Sequence, residues 1–222
     1  MFTQLQKLKL MGFTPTVILD IGAHNGSWTK SMLEIYNDCE YYIFEANDYE
    51  TLDTLGKLSN VKIYKNIILN DKIEEVEWYA NHNTGDSFFK EKTIFYEHTI
   101  SSKRKTIDLN TFLKNNNLLQ DDIKDLFIKI DCQGAEIPIL KGSSNILSKT
   151  AFILVEIPFF GQYNENVPNF LEHIKFMDSI DFIPYDIVEH HYINNFNMQI
   201  DMLFIHRNHH FNSTVQEILL DY

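Results

Sequence analysis

VILDIGAHNGSWT, Val17 to Thr29, decides how the chain is read. Three bulky apolar residues, Val17–Leu19, read as a buried strand, and the character turns small and polar at Asp20, an acid expected to stand exposed at the strand tip. Asn25-Gly26 is a hairpin dipeptide, but the adjoining stretch SWTKSMLEIYN has no strand alternation. Its spacing predicts a helix over Ser27–Asn37 with Trp28, Met32, Ile35 and Tyr36 on one face. The unit is therefore strand, glycine loop, helix. Such loops bind nucleotides at the carboxyl edge of a parallel sheet. Gly22 and Gly26 let the backbone approach a ligand and let the helix close on the strand.

The loop is D-x-G-x-x-x-G and lacks the G-x-G-x-x-G of dinucleotide sites. Asp20 would repel a pyrophosphate and suit a cationic ligand. S-adenosylmethionine fits, with an ammonium, a sulfonium and no phosphate. A second acid, Glu45, ends the strand YYIFE, 25 residues after Asp20. An acid at the tip of strand two can accept both ribose hydroxyls. Taken singly, Asp20 reads as a helix N-cap and Glu45 as a solvated strand end. Together, at this spacing, they favour a nucleoside site. Asn66 and Ile67 come after the third strand, Val61–Lys65, where a side chain can lie along an adenine.

Outward from this unit, 222 residues that are 44% hydrophobic predict one domain with a sizeable core. Residues 1–14 read as an amphipathic helical extension carrying Phe2, Leu5 and Leu8 inward, not as a signal peptide. Tyr41–Glu45 is the second strand and Tyr49–Leu58 the second helix. Glu74 to about Ile107 alternates in hydrophobicity and reads as an antiparallel insertion, with a helix after it at Leu109–Asn115. Leu126–Ile130 and Phe152–Ile157 are strands four and five. Pro168 opens a helix that carries Phe170, Leu171, Ile174 and Met177 inward, and Phe182–Ile187 and Ile200–His206 close the chain as an antiparallel pair. Strands alternating with helices predict a parallel sheet with crossover helices.

Several functions are disfavoured. A net charge of −12 argues against nucleic acid as the main partner, and Lys103, Arg104 and Lys105 read as a solvated strand edge. No apolar run approaches a membrane span. Cys39 and Cys132 have neither metal nor redox spacing, which suits a reducing, cytoplasmic setting. No metal is expected, since His190 and His191 are adjacent and face opposite ways on a strand, and His206, His209 and His210 have no second spaced cluster.

LFIKIDCQGAEIPILKG, Leu126 to Gly142, repeats the first design: apolar strand, acid, glycine, helix. Asp131 ends strand four where acceptor and cofactor should meet, with Gln133, Gly134 and Glu136 just beyond it. Glu136 also suits helix-dipole capping. Glu156 tips strand five. The first candidate base is Asp131, then Glu156, then Glu136; positioning of cofactor or loop by hydrogen bonds is the alternative for Asp131. IPFFGQY, Ile157 to Tyr163, reads as a substrate wall or as core packing under a loop.

DIGAHNGSWT, IFEAN, YKNIILND, IKIDCQGAEIPILKG, ILVEI and FIPYDI…MQIDMLFI together resemble the FkbM family of S-adenosylmethionine-dependent methyltransferases, over about Thr16 to Arg207. The resemblance implies a class I, Rossmann-like three-layer α/β fold. Its mixed seven-stranded sheet has order 3-2-1-4-5-7-6 with the last strand antiparallel. It also implies methyl transfer, usually to oxygen, on a hydroxylated natural product, glycan or lipid. Cofactor positions carry over to Asp20, Gly22, Ala23, Asn25, Gly26, Glu45, Ala46, Asn66 and Ile67, and the strand-four motif to Asp131, Gln133, Gly134 and Glu136. The loop NTGDSFFKE departs from the small Ser/Gly-rich stretch expected there; only Gly85 and Ser87 match, and Phe88 and Phe89 are candidates to line a pocket. Ser87, Phe88 and Gln133 are the candidate acceptor-binding residues. Two other classes stay open: a nicotinamide-dependent oxidoreductase, and a non-catalytic binding protein on the same scaffold.

Overall fold

The computed structural model describes residues 1–118 and 123–220, without the side chain of Gln216. Eight α-helices and ten strands succeed one another among them, with one short 3-10 helix at Ile94–Tyr96. The first are α1 (Phe2–Leu10), β1 (Val17–Ile21), α2 (Ser27–Ile35), β2 (Glu40–Glu45), α3 (Thr51–Leu55) and β3 (Val61–Lys65). The insertion contributes β4 (Ile68–Asn70), β5 (Glu75–Tyr79) and β6 (Ser101–Asp108), and leads into α4 (Leu109–Asn115). Then come β7 (Leu126–Ile130), α5 (Glu136–Lys141), α6 (Ser144–Leu147), β8 (Thr150–Pro158) and α7 (Phe170–Ser179). The chain ends with β9 (Phe182–Ile193), β10 (Phe196–His206) and α8 (His210–Leu220).

The main sheet runs β3-β2-β1-β7-β8-β10-β9. With the insertion strands set aside, this is the expected order 3-2-1-4-5-7-6, and β10 is antiparallel to both neighbours. Alternation along each strand divides the core in two. Val17, Leu19 and Ile21 of β1 join Ile128, Ile153 and Phe204 on one face, under Leu109 and Phe112 of α4 and Met177 of α7. Ile18 joins Phe127, Phe152 and Leu203 on the other, with Leu5 and Leu8 of α1, Trp28 and Met32 of α2 and Phe211 of α8. Helices cover both faces because central parallel strands, apolar on both sides, must bury both.

Several expectations need correction. β1 continues through Ile21, so Asp20 lies inside the sheet and is fully buried, not exposed at a tip. The second helix shrinks to the five residues of α3. In α7, Leu171 is exposed and His173 is buried in its stead. Asn169 caps this helix in a box with Glu172, so Pro168 precedes the cap. The insertion is mixed: β6 pairs antiparallel with β5 and parallel with β4. Lys103, Arg104 and Lys105 therefore sit on a central strand of the small sheet, Lys103 bonding to Glu75 at 2.9 Å. The closing hairpin is longer than expected. Asn194 and Asn195 both adopt positive φ (48° and 67°), the signature of a two-residue turn. Pairing thus runs on through His191 and Gln199, and α8 forms where no helix is expected.

Candidate active site

The carboxyl ends of β1, β2, β7 and β8 open on a cavity of about 610 Å³, roofed by the insertion loop and bounded by the β9–β10 hairpin. It forms where strand order reverses about β1, the position at which open α/β sheets bind ligands.

The glycine loop owes its shape to packing. Gly22 (φ +75°) lines the cavity, and a Cβ there would lie 1.9 Å from the backbone oxygen of Asp131. Gly26 (φ +80°) begins α2, and a Cβ would meet Leu55 of α3 at 2.5 Å. Beneath the loop, Asp20 pairs with Lys129 at 3.2 Å and accepts a 2.5 Å hydrogen bond from Thr29 of α2. Lys129 also donates to the Gly22 carbonyl at 2.8 Å. Burial pulls the Lys129 ammonium down, but the Asp20 and Asp131 carboxylates outweigh it and hold its pKa above the ordinary value.

Glu45 lines the cavity at the end of β2. Its two oxygens accept from the backbone N–H of His24 (2.7 Å) and of Asn47 (2.8 Å), which fixes the plane of the carboxylate. Burial raises its pKa. The strand-four loop is organised by two side chains. Glu136 is buried and accepts from the N–H groups of Cys132 (2.9 Å) and Gly134 (3.2 Å), so it builds the loop and does not reach the cavity. Gln133 donates from one amide nitrogen to Asp131 (3.2 Å) and to Glu156 (2.8 Å), holding those acids within about 6 Å of each other. Burial, and then the charge of Asp131, push the Glu156 carboxyl well above the usual carboxylate range.

Of the residues singled out from sequence, Gly22, Glu45, Ala46, Ile67, Phe88, Asp131, Gln133 and Glu156 line the cavity. Asp20, Ala23, Asn25, Gly26, Asn66, Ser87 and Glu136 do not. Asn25 is exposed and accepts from the Ser27 N–H at 3.0 Å. Asn66 is an exposed left-handed turn residue (φ 61°). Ala23 is buried. Ser87 is buried and donates to the Gln133 carbonyl at 3.1 Å, tying the insertion loop to the strand-four loop.

The sequence matches the methyltransferase FkbM domain over residues 20–184, about three-quarters of the chain. The chain belongs to the FkbM methyltransferase family. It is an S-adenosylmethionine-dependent methyltransferase. This FkbM methyltransferase is 22% identical over 175 residues to the 2-O-methyltransferase NoeI of Sinorhizobium fredii (strain NBRC 101917 / NGR234), covering 73% of the chain and 72% of NoeI. A crystal structure of methyltransferase FkbM from Methylobacillus flagellatus KT superposes with a TM-score of 0.52 at 14% identity, over 86% of this chain. The chain spans only 43% of that protein's length. The 1,6-didemethyltoxoflavin-N1-methyltransferase of Burkholderia thailandensis, solved with 1,6-didemethyltoxoflavin and S-adenosylhomocysteine bound, gives 0.51 at 10% identity, over 93% of this chain and 77% of that one. At such identities the two structures establish the fold.

The wall of the FkbM methyltransferase cavity also holds residues that sequence reasoning passes over. Asn47 donates to Asp86 at 2.8 Å, latching the end of β2 to the insertion loop. His24, Tyr49, Trp78 and Gln199 add polar and aromatic surface, as do Tyr163, from the Ile157–Tyr163 run read as a substrate wall or core packing, and His191, weighed in the sequence only as half of a diverging pair. Among the described residues five carboxylates line the cavity, Glu45, Asp86, Glu91, Asp131 and Glu156, with no lysine or arginine.

Proposed function

We propose that the enzyme methylates a hydroxyl oxygen of a small-molecule or glycan acceptor. The single observation that carries this reading is the charge of the cavity. Five acids with no lysine or arginine among the described residues of the wall, beside the histidines His24 and His191, would disfavour the pyrophosphate of a nicotinamide dinucleotide and welcome a sulfonium and an ammonium. The sequence reading ascribes that preference to Asp20, but Lys129 already neutralises Asp20, and the acids of the wall take over the role. The residues present fit the cofactor: a fixed carboxylate at the end of β2, a close glycine turn, and apolar surface from Ile67 and Phe44.

S-adenosylmethionine supplies the activated methyl group, so the protein's tasks are alignment, exclusion of water and removal of a proton. Glu45, with one lone pair on each oxygen engaged by backbone N–H, keeps others for a ribose diol. Asp131 faces the cavity and is the base we assign; Gln133 holds its Oδ1, and its Oδ2, 3.7 Å from the Lys129 ammonium, is the oxygen that would take an acceptor proton. Oxygen as the methylated atom is supported by the likeness to a 2-O-methyltransferase. The same reading places the enzyme in a reducing compartment, the cytoplasm, with Cys39 and Cys132 as free thiols. No helix among the described residues is long and apolar enough to cross a membrane.

Calorimetric titration with S-adenosylhomocysteine and with NAD tests the site, and methyl transfer to a panel of hydroxylated acceptors tests the reaction. Saturable S-adenosylhomocysteine binding without NAD binding is expected. NAD binding alone would favour the oxidoreductase. Binding of neither would favour a non-catalytic scaffold.

A further inference from the structure

We propose that Glu156, His191 and Asp201 bind one divalent cation at the edge of the methyl-transfer cavity. The three residues lie on adjacent strands, β8, β9 and β10. Asp201 stands directly opposite Glu156, and Gln199 opposite His191. Gln199 and Asp201 are two apart on β10, so strand alternation sends all four side chains to one face of the sheet. One ligating atom each from Glu156, His191 and Asp201 lies within 4.8 Å of the others. Two donors at about 2.1 Å from an ion and at right angles to each other would be about 3 Å apart, and His191 Nε2 is already 2.7 Å from Asp201 Oδ2.

Besides His191 itself and the more distant Lys129, no cationic side chain among the described residues pairs with these acids. Asp201 is 6% exposed, and its Oδ1 has no hydrogen bond among the described residues. On Glu156, Gln133 and Gln199 both donate to Oε2, at 2.8 and 3.0 Å, leaving Oε1 free. Amides that hold one carboxylate oxygen while the other stays open are the usual outer support of a metal ligand. Asp131 adds a third carboxylate nearby. Lys129, the buried cation of the region, is shared among Asp20 (3.2 Å), the Gly22 carbonyl (2.8 Å) and Asp131 (3.7 Å), and makes no ion pair with Glu156 or Asp201.

Two carboxylates and one imidazole form a hard, mixed oxygen and nitrogen set, suited to a divalent ion of the manganese or zinc type. Glu156 and His191 border the cavity, so open coordination positions face it. An acceptor that offers an oxygen ligand could occupy them, with its hydroxyl acidified by the ion. That role rests on the methyltransferase reading; binding of the ion does not. The sequence expects no metal because adjacent histidines diverge on a strand. His190 does turn away, exposed and stacked on Tyr192. One histidine is enough when the two strands beside it supply the acids.

The test is Mn²⁺ titration of the chelator-treated full chain, read by electron paramagnetic resonance and calorimetry. One Mn²⁺ per chain should bind with an affinity tighter than about 1 mM, the weak end of protein cation sites. His191→Ala and Glu156→Gln, on different strands, should each weaken binding at least about tenfold, with folding checked by circular dichroism. His190→Ala, on the opposite face, should leave binding unchanged. Absence of saturable binding, or binding indifferent to both substitutions, overturns the proposal. Loss of activity in His191→Ala without Mn²⁺ binding by the parent would overturn it in favour of a His191–Asp201 proton relay. S-adenosylhomocysteine binding, measured on the same samples, reports separately on the methyltransferase reading.

Discussion

Asp20 and Lys129 stand opposite each other on β1 and β7 and form a buried ion pair of 3.2 Å beneath the glycine loop. Both strands are covered by helices, so neither charge has water to fall back on. Removing one partner of such a pair typically costs about 3–5 kcal/mol. Lys129→Met should therefore lower stability by that order in denaturant unfolding. The double variant Asp20→Asn, Lys129→Met should recover a large part of the loss, because no charge is then stranded. A single variant as stable as the parent would show that the pair does not hold the loop.

Gly22 sets a second expectation, opposite to the one its motif suggests. A glycine needed for ligand approach would tolerate valine in a folded protein that no longer binds cofactor. Here the added Cβ would lie 1.9 Å from the Asp131 carbonyl oxygen, at a φ of +75° that side chains rarely adopt. Backbone cannot yield there without parting β1 from β7. Gly22→Val should fail to reach the native state by circular dichroism and thermal unfolding. A folded Gly22→Val lacking only cofactor affinity would restore the ligand-approach role.

The sheet was legible because its central strands are unbroken apolar runs with acid and glycine at their ends, as in Val17–Ile21 and Leu126–Ile130. Glu45, Asp131 and Glu156 were legible for the same reason, each ending a strand. The hidden part depends on pairing across the chain. Lys129 reads as an interruption of an apolar strand until the register sets it against Asp20. His191 and Asp201 look unrelated until the turn at Asn194 and Asn195 extends the hairpin past the expected strand ends. Asp86 and Glu91 belong to a loop with no periodicity to place it. Local motif also misassigned Glu136 and Ser87, whose polarity is spent on loop backbone.

Glu45 yields a prediction with two readouts. A charged acceptor for a buried diol contributes about 1.5–3 kcal/mol, so Glu45→Gln should weaken S-adenosylhomocysteine binding by roughly 10- to 150-fold. The second readout is the pH dependence of stability without ligand. Burial raises the Glu45 pKa above its ordinary 4.5, so the folded protein holds this proton more tightly than the unfolded chain. Its contribution is full below that ordinary value and is lost as pH rises through the raised one. Lost hydrogen bonds to the His24 and Asn47 N–H groups add an offset that does not vary with pH. The stability of Glu45→Gln relative to the parent should therefore improve as pH rises above the ordinary value of 4.5. A flat or falling difference would contradict the burial of this charge.

The last prediction concerns the proton. Asp131 and Glu156 share the amide of Gln133, and both face the cavity. Glu136, the third acid of the motif, is shut away beneath the loop, so Glu136→Gln should act on folding and not on the chemical step. If Asp131 takes the acceptor proton, Asp131→Asn keeps the shape, loses the base and slows single-turnover methyl transfer by about 10²- to 10⁴-fold. Cofactor affinity should change little, because Glu45 and the glycine loop stay in place. A fall in affinity that matches the fall in rate would instead make Asp131 a cofactor-positioning residue. Glu156→Gln is the companion measurement. The glutamine can still accept from the Gln133 and Gln199 amides through its oxygen, so its effect on geometry should be modest. A large rate loss in Glu156→Gln beside a near-normal Asp131→Asn, at unchanged cofactor affinity and with no change in Mn²⁺ binding, would move the proton-accepting role from strand four to strand five.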